Sequence, residues 1–141
     1  FLTDTITVMI EGGAKVRTNK ISTWLDTGTI EATLDTNKVL LEKRGKQGKQ
    51  VDRYTGTQVI EPSFIHESAE IKNSTIGPYA SIGENCKIEN CQIAESIVEA
   101  GCEIKDAALS RSLIGRQAKV KGRGDGRVMQ LNIGDTSSIA L

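Results

Sequence analysis

Aliphatic residues recur every five or six positions through the middle of the chain. This spacing fits neither the 3.6-residue period of an amphipathic helix nor the alternation of a simple strand. A repeat near six, with small and turn-forming residues between the aliphatic ones, is typical of a parallel β-helix, in which each aliphatic side chain points inward from a short strand. The predicted inward positions are Val59, Ile65, Ile71, Ile76, Ile82, Ile88, Ile93, Val98, Ile104, Leu109, Ile114 and Val120.

These positions predict about four coils of three faces each. Gly77, Gly83 and Gly115 directly follow inward positions, where a side chain would crowd the corner. After Val120 a glycine-rich stretch breaks the period. Beyond it, alternation over residues 127–133 predicts a strand that caps the last coil, followed by a turn at Gly134-Asp135 and a short strand from Ser138.

The first 45 residues show shorter periodicities and clear helix boundaries. Thr29 is a good N-cap residue and Gly45 a good helix stop, with Ile30, Leu34 and Leu41 on one face between them. The predicted elements are helices over residues 3–11 and 30–44 and strands over residues 14–18 and 21–25. Such a piece is too small to close a core alone, so residues 1–45 are predicted to be the edge of a larger α/β domain. Residues 46–58 are predicted to be a linker, and residues 59–141 the β-helix with its cap.

Charge and cysteine content exclude several classes of function. The 18 basic and 18 acidic residues balance, which argues against nucleic acid or an anionic membrane as a partner. No apolar run approaches the roughly 18 residues of a membrane span. The cysteines Cys86, Cys91 and Cys102 form no C-x-x-C pair and are odd in number, so we expect neither disulfides nor a zinc site. Cys86 and Cys102 lie four residues after inward positions, so we expect them to be small buried side chains, which fits a reducing cytoplasm.

The most distinctive local sequence is Trp24-Leu-Asp-Thr-Gly-Thr29, at the predicted junction of a strand and a helix. A carboxylate just past a strand end, here Asp26, is well placed to hold a hard cation such as Mg²⁺. Thr27 and Thr29 lie at a helix start, where free N–H groups favour anions. The plainer interpretation is that Asp26 only caps the helix and Trp24 belongs to a core.

A family resemblance covers nearly the whole chain. Leu2-Thr3-Asp4, Trp24–Thr29, Asn37 and Leu40-Leu41 are similar to the closing segment of sugar-1-phosphate nucleotidyltransferases. The hexapeptide pattern and the ending Leu131-Asn-Ile-Gly-Asp-Thr-Ser137 resemble the C-terminal left-handed parallel β-helix of the long form of glucose-1-phosphate thymidylyltransferase.

The resemblance implies a two-domain enzyme that joins a sugar 1-phosphate to a nucleoside triphosphate, giving a nucleotide-sugar such as dTDP-glucose and releasing pyrophosphate. It also implies that Asp26 is one of two Mg²⁺ ligands, that Trp24 flanks the sugar-phosphate pocket, and that the β-helix is a scaffold that forms homo-oligomers. The remaining nucleotide- and sugar-binding residues would lie in a domain absent from this sequence. The 141-residue chain alone is therefore expected to be inactive.

Two other enzyme classes use hexapeptide β-helices. A γ-type carbonic anhydrase needs several zinc-binding histidines, and His66 is the only histidine in the sequence, so this class is excluded. An acetyltransferase acting on an amino-sugar phosphate needs a histidine base. His66 directly follows the inward position Ile65, so this alternative stays open.

Overall fold

The computed structural model describes residues 1–45 and 54–141, so most of the predicted linker, residues 46–53, lies outside the described residues. Within these ranges two helices precede fifteen short strands. The helices are α1 (Leu2–Glu11) and α2 (Ile30–Arg44). The strands are β1 (Gln58–Val59), β2 (Phe64–Ile65), β3 (Glu70–Lys72), β4 (Thr75–Ile76), β5 (Ser81–Ile82), β6 (Lys87–Glu89), β7 (Gln92–Ala94), β8 (Ile97–Val98), β9 (Glu103–Lys105), β10 (Ala108–Ser110), β11 (Leu113–Ile114), β12 (Lys119–Lys121), β13 (Val128–Met129), β14 (Asn132–Ile133) and β15 (Ser138–Ala140).

The strands form three parallel sheets that wind into a β-helix. The first sheet contains β1, β4, β7, β10 and β13, the second contains β2, β5, β8, β11 and β14, and the third contains β3, β6, β9, β12 and β15. Every third strand therefore returns to the same sheet, so three consecutive strands make one coil. The predicted parallel β-helix is confirmed.

The aliphatic ladder forms the core. All twelve predicted inward residues lie in β1–β12, and all but the half-buried Val59 are at most 3% exposed. The strand registers stack them directly, as with Ile76 beside Ile93 and Ile82 beside Val98. Tyr54, inside the range predicted as linker, is also buried in this core.

The β-helix has five coils, so the prediction of about four was too low. The segment predicted as a capping strand forms a fifth coil instead, since β13, β14 and β15 pair in parallel with β10, β11 and β12. The step from Val120 to Met129 contains a surface loop that lengthens the usual spacing of five or six residues. This insertion hides the register, and Met129, Ile133 and Ile139 continue the ladder.

The corners use two kinds of residue. At Gly115 a Cβ atom would lie 2.5 Å from the Asp135 nitrogen in the next coil, so the predicted need for a small residue after an inward position is confirmed there. Elsewhere non-glycine residues take positive φ in stacked columns, and Asn90 and Asp106 (φ 54° and 53°) are also joined by a 2.9 Å hydrogen bond. Asparagine and aspartate tolerate this left-handed conformation better than most residues.

All three cysteines are free and buried, which confirms the predicted burial of Cys86 and Cys102. The Cys86 and Cys102 thiols donate to the carbonyl oxygens of Glu99 and Gly115, both at 3.0 Å. Burial raises the pKa of the Cys91 thiol. These cysteines therefore act as small core residues.

At the N-terminus the helices are confirmed and the strands are not. α2 spans Ile30–Arg44, with the Thr29 hydroxyl accepting from the Ala32 N–H at 3.1 Å and Gly45 at the C-cap. Residues 14–25 contain no strand, although two were predicted. An isolated two-stranded ribbon is only marginally stable, and Val16 and Ile21 stay exposed with no sheet beside them in the described structure.

Within the described ranges, neither helix is long and apolar enough to cross a membrane.

Candidate functional site

The loop that leads into α2 holds the candidate carboxylate in a tight turn. The Asp26 Oδ1 atom accepts the Gly28 N–H at 2.9 Å. A Cβ atom on residue 28 would lie 3.3 Å from the same oxygen, so glycine lets the carboxylate approach the backbone closely. This bond uses one of the two carboxylate oxygens, and no hydrogen bond to Oδ2 is present within the described residues.

Threonine side chains of α2 tie this loop to the helix. The Thr36 hydroxyl donates to the Asp26 carbonyl oxygen at 2.8 Å. The Thr33 hydroxyl lies 3.2 Å from the Thr27 carbonyl oxygen and 2.8 Å from that of Thr29. The orientation of the Asp26 backbone is therefore set by the first two turns of α2.

The plainer interpretation of this sequence is wrong in one of its points, the capping of the helix by Asp26. The N-cap of α2 is Thr29, so Asp26 lies three residues before the cap and does not cap the helix. Trp24 is 80% exposed, so it is not a core residue of the described structure. Both side chains are available to another molecule or to another part of a larger protein.

Asp26 has the chemistry of a magnesium ligand but supplies only one. A carboxylate oxygen left open beside a fixed partner suits a hard cation that takes oxygen ligands. Across residues 1–45 and 54–141 there is no cluster of three or more His, Cys, Asp and Glu side chains that could hold a metal ion. Of the described residues, Asp26 could thus supply one oxygen ligand to such a cation.

A row of polar contacts between α2 and the β-helix was not predicted from the sequence. Three left-handed residues, Tyr79, Glu95 and Arg111, stack in successive coils where the first sheet turns into the second. We call this column the α2 corner. Lys38 of α2 is paired with Glu95, and the Tyr79 hydroxyl donates to Glu42 at 3.0 Å. The available signal was the spacing of charged residues along α2, but only the structure shows which coil each one meets.

Asn37, singled out by the family resemblance, also contacts the β-helix. Its side-chain nitrogen donates to the Tyr79 carbonyl oxygen at 3.3 Å, and its oxygen accepts from the Ser81 hydroxyl at 2.6 Å. Asn37 therefore joins α2 to the second coil through both ends of its amide.

His66 is held in a way that does not favour a general base. Its Nδ1 lies 3.2 Å from the Ser68 backbone N–H and 2.8 Å from the Ser68 hydroxyl, which itself accepts from Asn85 N–H. Because a backbone N–H can only donate, Nδ1 is the acceptor and the neutral ring carries its proton on Nε2. A base needs an unprotonated nitrogen facing its substrate. The geometry therefore gives no support to the acetyltransferase alternative.

The β-helix and the loop before α2 indicate the class of protein. Five coils of short parallel strands, preceded by α2 and the exposed loop that leads into it, make this a hexapeptide-repeat β-helix with a helical segment before it. The family described as the GMPPB C-terminal domain matches residues 59–133, which is more than half of the chain, and the chain belongs to that family.

Curated relatives extend the match beyond the β-helix. Glucose-1-phosphate thymidylyltransferase of Streptomyces griseus is 29% identical over 140 residues, covering 84% of this chain and 39% of that protein. The enzyme of the same name from Streptomyces antibioticus is 30% identical over 137 residues, covering 84% and 38%. A probable mannose-1-phosphate guanyltransferase of Schizosaccharomyces pombe is 32% identical over 100 residues, covering 69% and 24%.

These names confirm the resemblance to sugar-1-phosphate nucleotidyltransferases. The chain spans less than two fifths of the length of each of these three relatives.

Proposed function

We propose that this chain is the C-terminal part of an enzyme that joins a sugar 1-phosphate to a nucleoside triphosphate and releases pyrophosphate. The observation that carries the proposal is the exposed loop Trp24–Thr29, where the Asp26 carboxylate is fixed through one oxygen and open at the other. The relatives support it, since each of the three bears the name of a transferase that acts on a sugar 1-phosphate.

In the proposed enzyme, Asp26 is one Mg²⁺ ligand and Trp24 flanks the sugar-phosphate pocket. Mg²⁺ held there would supply positive charge that stabilises the triphosphate while the sugar phosphate attacks its α-phosphorus. The Gly28 N–H orients the Asp26 carboxylate, and the Thr36 hydroxyl holds its backbone. Trp24 offers an apolar aromatic face to the sugar ring. A second Mg²⁺ ligand and the nucleotide-binding residues are assigned to another part of the intact enzyme.

The role of Asp26 can be tested by removing its charge in the intact enzyme. Asp26→Asn is expected to lower kcat by about a hundredfold or more, because an amide binds Mg²⁺ poorly. Asp125→Asn is the matched control, since Asp125 makes the same kind of bond, to the N–H two residues ahead at 3.0 Å, in a surface loop of the β-helix. Pyrophosphate release measured across Mg²⁺ concentrations checks the role. Equal activity of the two variants would remove Asp26 from the metal site.

We propose dTTP and glucose 1-phosphate as the substrates and dTDP-glucose as the product. Two of the three relatives named above carry the thymidylyltransferase name, and the third carries a guanyltransferase name. Competition between dTTP and GTP, each with glucose 1-phosphate and mannose 1-phosphate, distinguishes thymidylyltransferase from guanyltransferase activity. A kcat/KM that favours GTP with mannose 1-phosphate would contradict this assignment. We also propose a cytoplasmic location, which the three buried free thiols support.

We further propose that the β-helix forms homo-oligomers through its first sheet. The third sheet carries charged side chains of both signs, with ion pairs such as Lys105–Glu89 at 2.9 Å, and α2 contacts the second sheet. The outward side chains of the first-sheet strands are all uncharged, so two copies can meet there without like-charge repulsion. These side chains are Gln58, Thr75, Gln92, Ala94, Ala108, Ser110 and Val128.

A charge placed on the first sheet tests this assembly. Gln92→Lys is expected to shift the 141-residue chain toward monomer in light scattering coupled to size exclusion. Ser138→Lys puts the same charge on the third sheet, where Ser138 is exposed, and should leave the mass unchanged. A monomeric wild type, or an oligomer that survives Gln92→Lys, would contradict the proposed interface.

A further inference from the structure

The side chains of α2 meet one coil of the β-helix after another. Asp35 lies 3.8 Å from the Arg111 guanidinium in the fourth coil, and Lys38 is paired with Glu95 in the third. The next contact, Glu42 with the Tyr79 hydroxyl, belongs to the second coil. Finally the Arg44 guanidinium lies 4.4 Å from the centre of the Phe64 ring in the first coil.

This order follows from two matching repeats. Adjacent strands of a sheet lie about 4.8 Å apart, which sets the spacing of the coils. A helix rises about 1.5 Å per residue, so the steps from Asp35 to Lys38 and from Lys38 to Glu42 advance it by about 4.5 and 6 Å. One turn of α2 therefore corresponds to about one coil, and the helix is held at four successive levels.

Glu95 is the centre of this arrangement. Its carboxylate is paired with Lys38 and lies 3.7 Å from the Arg111 guanidinium, which in turn faces Asp35. The Lys38 and Glu95 side chains are only 27% and 34% exposed, so the pair is partly shielded from solvent. The hydrogen bond from Lys38 keeps the pKa of the Glu95 carboxyl below its usual value, so the carboxylate is charged at neutral pH. The backbone of Glu95 is fixed at a left-handed corner, with φ at 47°.

The candidate metal loop leads into the N-terminal end of α2. Thr36, between Asp35 and Lys38, donates to the Asp26 carbonyl oxygen at 2.8 Å. The chain of contacts thus runs from Glu95 through Lys38 and α2 to the loop that carries the Asp26 carboxylate. A shift of α2 along the corner would move this loop with it.

We infer that the α2 corner positions the Asp26 loop, and that Glu95 is a positioning residue for the metal site although it belongs to the β-helix. The catalytic part of the inference rests on the function proposed above. The β-helix then holds part of the active site in position, in addition to any role in assembly. Glu95 acts on the Asp26 loop only through its contacts with α2.

Charge reversal and charge exchange in the 141-residue chain test whether the Lys38–Glu95 pair holds α2 against the β-helix. Glu95→Lys places a cation beside Lys38 and Arg111 and should speed amide hydrogen exchange across residues 33–41 by about fivefold or more. Lys38→Glu should do the same by facing Glu95. The double variant restores an opposite-charge pair and should return exchange toward the wild-type rate. Glu99→Lys is the control, because Glu99 lies in the same coil as Glu95 but pairs with Arg116 of the next coil and with no residue of α2 in the described structure.

The same variants in the intact enzyme test the link to the metal loop. Glu95→Lys should raise the Mg²⁺ concentration for half-maximal pyrophosphate release several-fold, and the double variant should lower it again, while Glu99→Lys leaves it unchanged. Unaltered hydrogen exchange in Glu95→Lys, or an equal effect of Glu99→Lys, would contradict the claim that Glu95 holds α2 in place. Faster exchange with an unaltered Mg²⁺ dependence would overturn the positioning role. An intact wild type with no transferase activity would instead overturn the proposed function, and the exchange result in the shorter chain would stand apart from it.

Discussion

Individual corner residues decide where the chain can turn. Glycines after inward positions could be predicted from the sequence, because a coil that closes on its neighbour leaves no room for a side chain. The left-handed corners at Tyr79, Glu95 and Arg111 could not, since none of these residue types prefers positive φ. Their conformation comes from the stacking of coils, which no local pattern records.

Two glycines differ only in the space around them and give a matched comparison. A Cβ atom at Gly115 would lie 2.5 Å from the Asp135 nitrogen, whereas one at Gly134 would meet nothing within 4 Å. Gly115→Ala should therefore lower the free energy of unfolding by about 1–3 kcal/mol through overpacking. Gly134→Ala should change it by less than about 0.5 kcal/mol. Urea unfolding measures both, and equal stability of the two variants would contradict the steric account of the corner.

The candidate site shows the same division at the residue scale. Asp26 and Trp24 could be singled out because a carboxylate and an aromatic residue precede a helix in a distinctive sequence. Their environment could not be read from the sequence, where a helix cap at Asp26 and a core position for Trp24 were the plainer interpretation. The structure shows an exposed tryptophan and a carboxylate bound to the Gly28 N–H.

At the scale of elements, α2 was predicted correctly and the two N-terminal strands were not. The helix has its own boundary signals, Thr29 and Gly45, and these act locally. Strands need partners, and residues 14–25 have none in the described structure. The fifth coil was missed for the opposite reason: its inward residues pair well, but the loop after Val120 displaces them from the expected spacing.

The N-cap of α2 provides a prediction at this scale. Thr29→Ala removes the hydroxyl that accepts the Ala32 N–H and should cost the helix about 1 kcal/mol. Because the β-helix core does not involve this bond, the effect should be confined to α2. Hydrogen exchange should quicken over residues 30–36 and stay unchanged in β4–β12. Faster exchange throughout the coils would show that α2 and the β-helix unfold as one unit.

At the scale of the whole molecule, stability depends on uninterrupted stacking. In the middle coils each inward aliphatic side chain is buried between those of the neighbouring coils, as Ile82 is between Ile65 and Val98. Strand pairing joins each coil only to the coils next to it, so a defect in the middle exposes both sides of the stack.

Ile82→Asp tests this dependence. Burying a carboxylate at a position that is 0% exposed costs far more than the roughly 1.5–3 kcal/mol that the isoleucine contributes. The coils should lose their structure together, with a large fall in Tm and a single transition in circular dichroism. Glu84→Asp is the control, since Glu84 lies exposed at a corner two residues away. A Tm within a degree or two of wild type would show that residue 82 is not in the core.

The molecule joins a β-helix, which stacks by its sequence period, to a helix that follows an exposed carboxylate. We propose that the chain holds one edge of a transferase site and that the chemistry needs the rest of the enzyme. Activity of the intact enzyme therefore tests whether the chain contributes to a transferase site, which the stability of either part does not.

The most direct measurement is saturable release of pyrophosphate from a nucleoside triphosphate in the presence of a sugar 1-phosphate and Mg²⁺. We predict release by the intact enzyme, formation of the nucleotide-sugar in equal amount, and no release by the 141-residue chain. An intact enzyme without this activity, or a 141-residue chain that catalyses the reaction alone, would contradict this prediction.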